Sequence, residues 1–200
     1  MFDGKFRTAV DARTAPIGRA LVKLGFSADV LTASGLVFAG ATGWAIATGR
    51  HWLAVVLLTL TGAHDLFDGP VAKASASASV RGSFFDSVMD RLSDAFILGG
   101  VTYYLEAQHH GQLVLLPFAI MTSTFMISYQ RSKAESLGLA AKGGLMERAE
   151  RMILMGVALL HHTIFIPVLW LLLALTTMTA FGRFYRVWQV ASQTPVNAEK

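Results

Sequence analysis

Residues 65–90 read DLFDGPVAKASASASVRGSFFDSVMD, and this stretch joins two apolar segments, about His51–Ala72 and Phe84–Leu105. Asp65, Asp68, Asp86 and Asp90 stand inside segments that are otherwise apolar, with Asp94 one turn further on. A helix turns about 100° per residue, so Asp65 and Asp68 fall within about 60° of each other and Asp86 and Asp90 within about 40°. Each ionised carboxylate at mid-bilayer costs about 2.5–3.5 kcal/mol even on lenient insertion scales, so such a cluster needs compensation. An antiparallel hairpin would bring the two pairs face to face at one depth, where unscreened carboxylates repel. Divalent cations resolve that repulsion, and oxygen donors without cysteine point to Mg²⁺ or Mn²⁺ rather than zinc. Two other readings stay open: pairing with Lys73, Arg81 and Arg91 or helix capping, and an ion pathway, which expects acids spread through the depth of the bilayer.

The remainder of the chain supports a membrane setting. Of 200 residues, 54% are hydrophobic, 15% are charged and none is cysteine, with a mean hydropathy of +0.50. A soluble domain carries about 25% charged residues. This composition excludes a disordered chain and a disulfide-stapled module. The net charge of +4 does not point to nucleic acid, because the basic residues flank apolar segments. Six spans are expected, about Val30–Thr48, His51–Ala72, Phe84–Leu105, Leu113–Tyr129, Met152–His162 and Ile164–Phe184. The fifth is the least regular, interrupted by His161 and His162. Residues 1–28 interleave Lys5, Arg7, Arg13, Arg19 and Lys23 with apolar side chains, the pattern of an interfacial amphipathic helix.

Most Lys and Arg fall in the N-terminus, the Lys73–Arg81 loop, the Arg131–Arg151 segment and the C-terminal tail. The positive-inside rule therefore places both termini, and the aspartates with them, on the cytosolic side of the cell membrane. The expected organisation is a juxtamembrane segment over 1–28, a six-helix domain over 29–190 and a cytosolic tail over 191–200. Gly69 beside Asp68, and Gly82 four residues before Asp86, would let a flat or phosphorylated ligand approach the backbone. Pro70 removes the N–H that would bond the Leu66 carbonyl and is expected to bend the helix near the cluster. The alternating Ala74–Ser79 run reads equally as a flexible connector or as a loop that closes over a substrate.

Written with its spacings, Asp65-x-x-Asp68-Gly69-x-x-Ala72-Lys73-x8-Gly82-x3-Asp86-x3-Asp90 resembles the signature of the CDP-alcohol phosphotransferases. It departs at Lys73, where the signature has Arg; Lys keeps the charge and loses the bidentate geometry. The resemblance implies transfer of a phosphatidyl group from CDP-diacylglycerol to an alcohol, with release of CMP, by a membrane homodimer. It implies two metal ions held by Asp65, Asp68, Asp86 and Asp90, with Asp90 also the general base. Asp29, Val30, Leu31, Thr32, Gly69, Ala72, Lys73, Ser79 and Gly82 are implied on the CDP-diacylglycerol side. For Asp29 alone, a helix N-cap is an equal reading.

The runs around Ser128–Lys133 and Gly143–Arg151, together with Asp90-Arg-Leu-Ser-Asp94, are similar to the phosphatidylinositol phosphate synthases of actinobacteria. Here Arg131 stands where Lys is usual and Ala149 where Pro is usual. The similarity implies that Ser128, Arg131, Arg151 and Arg183 bind the phosphate of the acceptor, with Lys133 and Arg148 at the same level. A phosphorylated polyol calls for several Arg or Lys donors in a way that free inositol, serine or ethanolamine does not. Inositol phosphate is the expected acceptor, glycerol 3-phosphate the enzymatic alternative and an ion-coupled transporter the non-enzymatic one.

Overall fold

The computed structural model describes residues 5–139 and 143–193, with the backbone alone for 5–12. Residues 194–200 of the expected tail and 1–4 of the N-terminal segment lie outside the described residues. The described residues are all-helical, in the order α1 (Lys5–Lys23), α2 (Ala28–Ala47), α3 (His51–Ala74), α4 (Val80–Ala107), a 3-10 turn Gly111–Val114, α5 (Leu115–Ser136), α6 (Arg148–Leu160) and α7 (His162–Gln193).

Local chemistry sets these boundaries. Ser27 caps α2 by accepting the Val30 N–H at 3.3 Å, and Ser79 caps α4 by accepting the Gly82 N–H at 3.1 Å. Gly49, at φ 70°, supplies the left-handed turn that separates α2 from α3. His161 adopts an extended conformation, φ −150° and ψ 129°, and divides the last apolar region into α6 and α7. α3 continues through Pro70 to Ala74.

Helix α2 is the organising element. It packs against both α3 and α4, whereas among the described residues the backbones of α3 and α4 do not pack closely on each other. Small residues permit this: Gly43 lies so close to the Phe96 carbonyl, and Gly100 to the Gly43 backbone, that a methyl group at either would collide with main chain. The expected hairpin is therefore splayed, its arms held apart across a cavity by α2 on one side and by α6, which packs on α3, on another. Helix α1 packs on α3, where Gly18 abuts Pro70.

The core gathers Ile46, Leu58, Val101, Leu105, Ile120, Leu159 and Leu169, all buried. Buried Thr42, Thr61 and Thr176 donate to the carbonyls of Phe38, Leu57 and Leu172 at 2.8, 3.0 and 2.7 Å, so their hydroxyls carry no unmet demand into the core. Large apolar side chains such as Val37, Phe118, Met178 and Phe181 face outward, as a lipid-facing surface requires. Among the described residues, three stretches are long and apolar enough to cross a membrane by length and composition: Ala28–Ala47, Gly111–Ser136 and His162–Gln193. At 24 and 28 residues, α3 and α4 have the reach, about 36 and 42 Å, but carry the aspartates. The 13 residues of α6 span only about 20 Å.

Candidate active site

The four aspartates line a single cavity of about 680 Å³, Asp65 and Asp68 from α3 and Asp86 and Asp90 from α4. Apart from Arg148 and Thr59, its other walls are apolar, among them Val55, Leu58 and Leu66 of α3 and Met152, Ile153 and Val157 of α6. A carboxylate cluster thus opens into a space suited to hydrocarbon. Asp68 accepts the Gly69 N–H at 2.5 Å, and Asp86 faces the same cavity from α4. Asp65 and Asp90 converge instead on Arg148, whose Nε lies 2.7 Å from Asp65 Oδ2 and whose Nη1 lies 2.5 Å from Asp90 Oδ1. Neither approach has the direction of a hydrogen bond: Asp65 Oδ2 and all three guanidinium nitrogens of Arg148 are buried with no hydrogen-bond partner. Arg91 completes the group with a contact to Asp90 at 3.5 Å.

Two smaller cavities share walls with the central one. The first, about 260 Å³, shares Asp68 and Asp86 with it and is lined by Asp29, Thr32, Gly69, Ala72, Lys73, Ser79 and Gly82. Seven of the nine residues expected on the nucleotide side meet here. Val30 and Leu31 do not line it; they project about 100° and 200° round α2 from Asp29, whereas Thr32 returns to the same face. Gly69 has open space where a side chain would stand. Asp29 pairs with Arg81, and the cap of α2 is Ser27, so Asp29 is no N-cap.

The second, about 150 Å³, shares Asp90 and Arg148 with the central cavity. Ser128 and Arg131 of α5, Arg151 of α6 and Arg183 of α7, the four residues expected to meet the acceptor phosphate, all line it. Most of its guanidinium groups are already engaged. Arg151 pairs with Asp94 at 2.9 Å and donates to the Met146 carbonyl at 3.3 Å. Buried Arg183 donates to the Ile127 and Gly143 carbonyls at 2.9 and 3.1 Å and lies 3.6 Å from Glu147. Arg131 pairs with Glu135 one turn along α5 at 3.0 Å.

Arg148, expected only at the cytosolic level with the other basic residues, stands between the aspartates. The available signal was its i, i+3 spacing to Arg151, which sets both on one face of α6. Among the described residues no three acidic or imidazole groups are drawn together as a ligand set. The donor chemistry nevertheless suits a hard divalent cation: four carboxylates border one cavity, and Asp65 Oδ2 is buried without a hydrogen bond. What keeps two of those carboxylates engaged is Arg148.

A family model described as CDP-alcohol phosphatidyltransferase matches residues 26–182. The archaetidylinositol phosphate synthase of Methanothermobacter thermautotrophicus is 34% identical over 172 residues, 84% of this chain and 86% of that protein. The phosphatidylinositol phosphate synthase of Mycobacterium marinum is 27% identical over 192 residues, 91% of this chain and 82% of that protein. The crystal structure of Mycobacterium tuberculosis phosphatidylinositol phosphate synthase in complex with manganese and citrate matches with a TM-score of 0.79 at 25% identity, covering 94% of this chain and 92% of that one. The same mycobacterial enzyme with CDP-DAG bound matches with a TM-score of 0.80 at 24% identity, covering 94% and 97%.

Proposed function

This chain belongs to the CDP-alcohol phosphatidyltransferase family, and from that premise we infer that it transfers the phosphatidyl group of CDP-diacylglycerol to inositol phosphate, giving phosphatidylinositol phosphate and CMP. The observation that carries this reading is the order of the three cavities. Asp68 and Asp86 are shared with the compartment of small and polar residues, Asp90 with the arginine-lined one, and the apolar walls of the middle cavity suit acyl chains. A lipid donor and a phosphorylated acceptor can then meet at the aspartates from opposite sides. The relatives' names differ in the lipid and agree on inositol phosphate, which supports the same acceptor here.

In the proposed reaction the acceptor hydroxyl forms a bond to the phosphorus that carries diacylglycerol, and the bond from that phosphorus to the oxygen of CMP breaks. Asp90, on the wall facing the acceptor compartment, takes the hydroxyl proton. Asp65, Asp68, Asp86 and Asp90 would hold Mg²⁺ or Mn²⁺, two ions per site, which would neutralise diphosphate charge and ease departure of CMP. Asp29, Thr32, Gly69, Ala72, Lys73, Ser79 and Gly82 are assigned to the nucleotide, and Ser128, Arg131, Arg151 and Arg183 to the acceptor phosphate. Acids gathered around one cavity fit group transfer better than a transport path.

The same reading assigns six spans, α2 to α7, to a domain over 29–190 in the cell membrane of a homodimer. It places α1 within a juxtamembrane segment over 1–28, the tail over 191–200 in the cytosol, and the aspartates facing the cytosol. The positive-inside distribution supports that orientation. The acceptor is tested by giving the purified protein CDP-diacylglycerol with inositol phosphate, glycerol 3-phosphate or free inositol in parallel. Fastest CMP release with inositol phosphate is expected; faster release with glycerol 3-phosphate would reassign the acceptor.

A further inference from the structure

We propose that Arg148 is a positioning residue that alternates between the aspartate cavity and the acceptor cavity, so that cation loading of the aspartates delivers a guanidinium charge to the incoming phosphate. This rests on the cation and acceptor assignments above. Three observations lead to it. Arg148 is the first residue of α6 and lines both cavities, so side-chain rotation alone transfers its charge from one to the other. It is held by charge without direction, since its nitrogens sit 2.7 and 2.5 Å from Asp65 and Asp90 yet make no hydrogen bond. A buried pair of this kind is costly to break with nothing in its place, so the exchange requires a cation to replace the arginine at the carboxylates and a phosphate to replace the carboxylates at the arginine.

The third observation is the charge already committed in the acceptor cavity. Arg151 is tied to Asp94, Arg183 to Glu147, Arg131 to Glu135 and Arg91 to Asp90. A phosphate arriving there meets guanidinium groups that are each shared with an acid. A divalent cation on Asp65 and Asp90 sets like charge beside Arg148 and takes over the carboxylates that hold it. Arg148 is then released from both of its acid partners on the wall nearest the acceptor, while Arg91, which also loses Asp90, stays tied to the Ser87 carbonyl at 2.6 Å. Occupancy of the metal site and of the acceptor site are thereby coupled, and the coupling is reciprocal.

The test uses the full-length protein in lipid nanodiscs with Mn²⁺ and inorganic phosphate and no CDP-lipid. Free Mn²⁺ is followed by electron paramagnetic resonance, with and without phosphate. In the wild type, phosphate is expected to tighten Mn²⁺ binding about tenfold. In Arg148→Gln, Mn²⁺ binds more tightly than to wild type without phosphate, and the phosphate effect falls within about twofold. The same coupling in wild type and variant would overturn the proposal. A second measurement needs no variant: modification of Arg148 by phenylglyoxal, read by mass spectrometry, should rise at least about threefold on adding Mn²⁺ and fall again with phosphate. Reactivity indifferent to Mn²⁺ would also overturn it. Failure of wild-type protein to bind Mn²⁺ at all would instead overturn the cation assignment on which the proposal stands, and the proposal with it.

Discussion

At the scale of single residues, the arginines differ more than their shared location implies. Arg131 is partly exposed and its partner Glu135 lies on the same helix, so removing it leaves only a solvated acid. Arg151 and Asp94 are both largely buried, and deleting the arginine strands a carboxylate, a change that costs about 3–5 kcal/mol in buried pairs. Arg131→Ala should therefore raise the KM for inositol phosphate at unchanged thermal stability. Arg151→Ala should raise the same KM and lower the melting temperature in detergent, and Asp94→Asn combined with Arg151→Gln should restore part of the stability but not the KM. Equal melting temperatures for all three would show that the Arg151–Asp94 pair carries no structural load. Asp90→Asn removes the proposed base and should lower turnover about 10²-fold or more while the protein still inserts and folds. Near-normal CMP release by that variant would take Asp90 out of the chemistry.

At the scale of elements, the decisive contact is the glycine crossing of α2 and α4. Both Gly43 and Gly100 stand where main chain meets main chain, so a side chain at either forces the helices apart. Gly43→Leu should destabilise the fold by about 1–3 kcal/mol or more, read as a lower melting temperature. Gly40→Leu, on the same helix but with open space beside it, should be near neutral. Equal effects would mean that helix propensity and not the crossing is responsible. The helices and their order were legible from the apolar segments, because length and hydropathy act locally. The splaying of α3 and α4 was not, since it depends on which faces of a third helix carry the small residues. Expected spans began or ended a few residues from the helices, as at α4, which starts at Val80 where Ser79 caps it.

At the scale of the molecule, the spacing of the aspartates is legible in the sequence, and the structure lines adjoining cavities with those aspartates and with the residues proposed to meet the acceptor phosphate. The place of Arg148 between Asp65 and Asp90 was hidden, because it arises where α6 meets α3 across some 80 residues of chain. Orientation is open to direct test because the chain has no cysteine. Ala78→Cys, in the exposed loop between α3 and α4, should react with a membrane-impermeant maleimide only after cells are opened. His110→Cys, in the loop between α4 and α5, should react in intact cells; the reverse pattern would put the aspartates on the outer side.

The central claim is that one cavity joins a lipid nucleotide to a phosphorylated polyol. Its most direct test is the stoichiometry of the purified protein supplied with CDP-diacylglycerol, labelled inositol phosphate and Mg²⁺. One labelled lipid should appear for each CMP released, both should cease with a chelator, and both should return with Mg²⁺ or Mn²⁺. CMP released without label entering lipid, or turnover indifferent to chelation, would contradict the account.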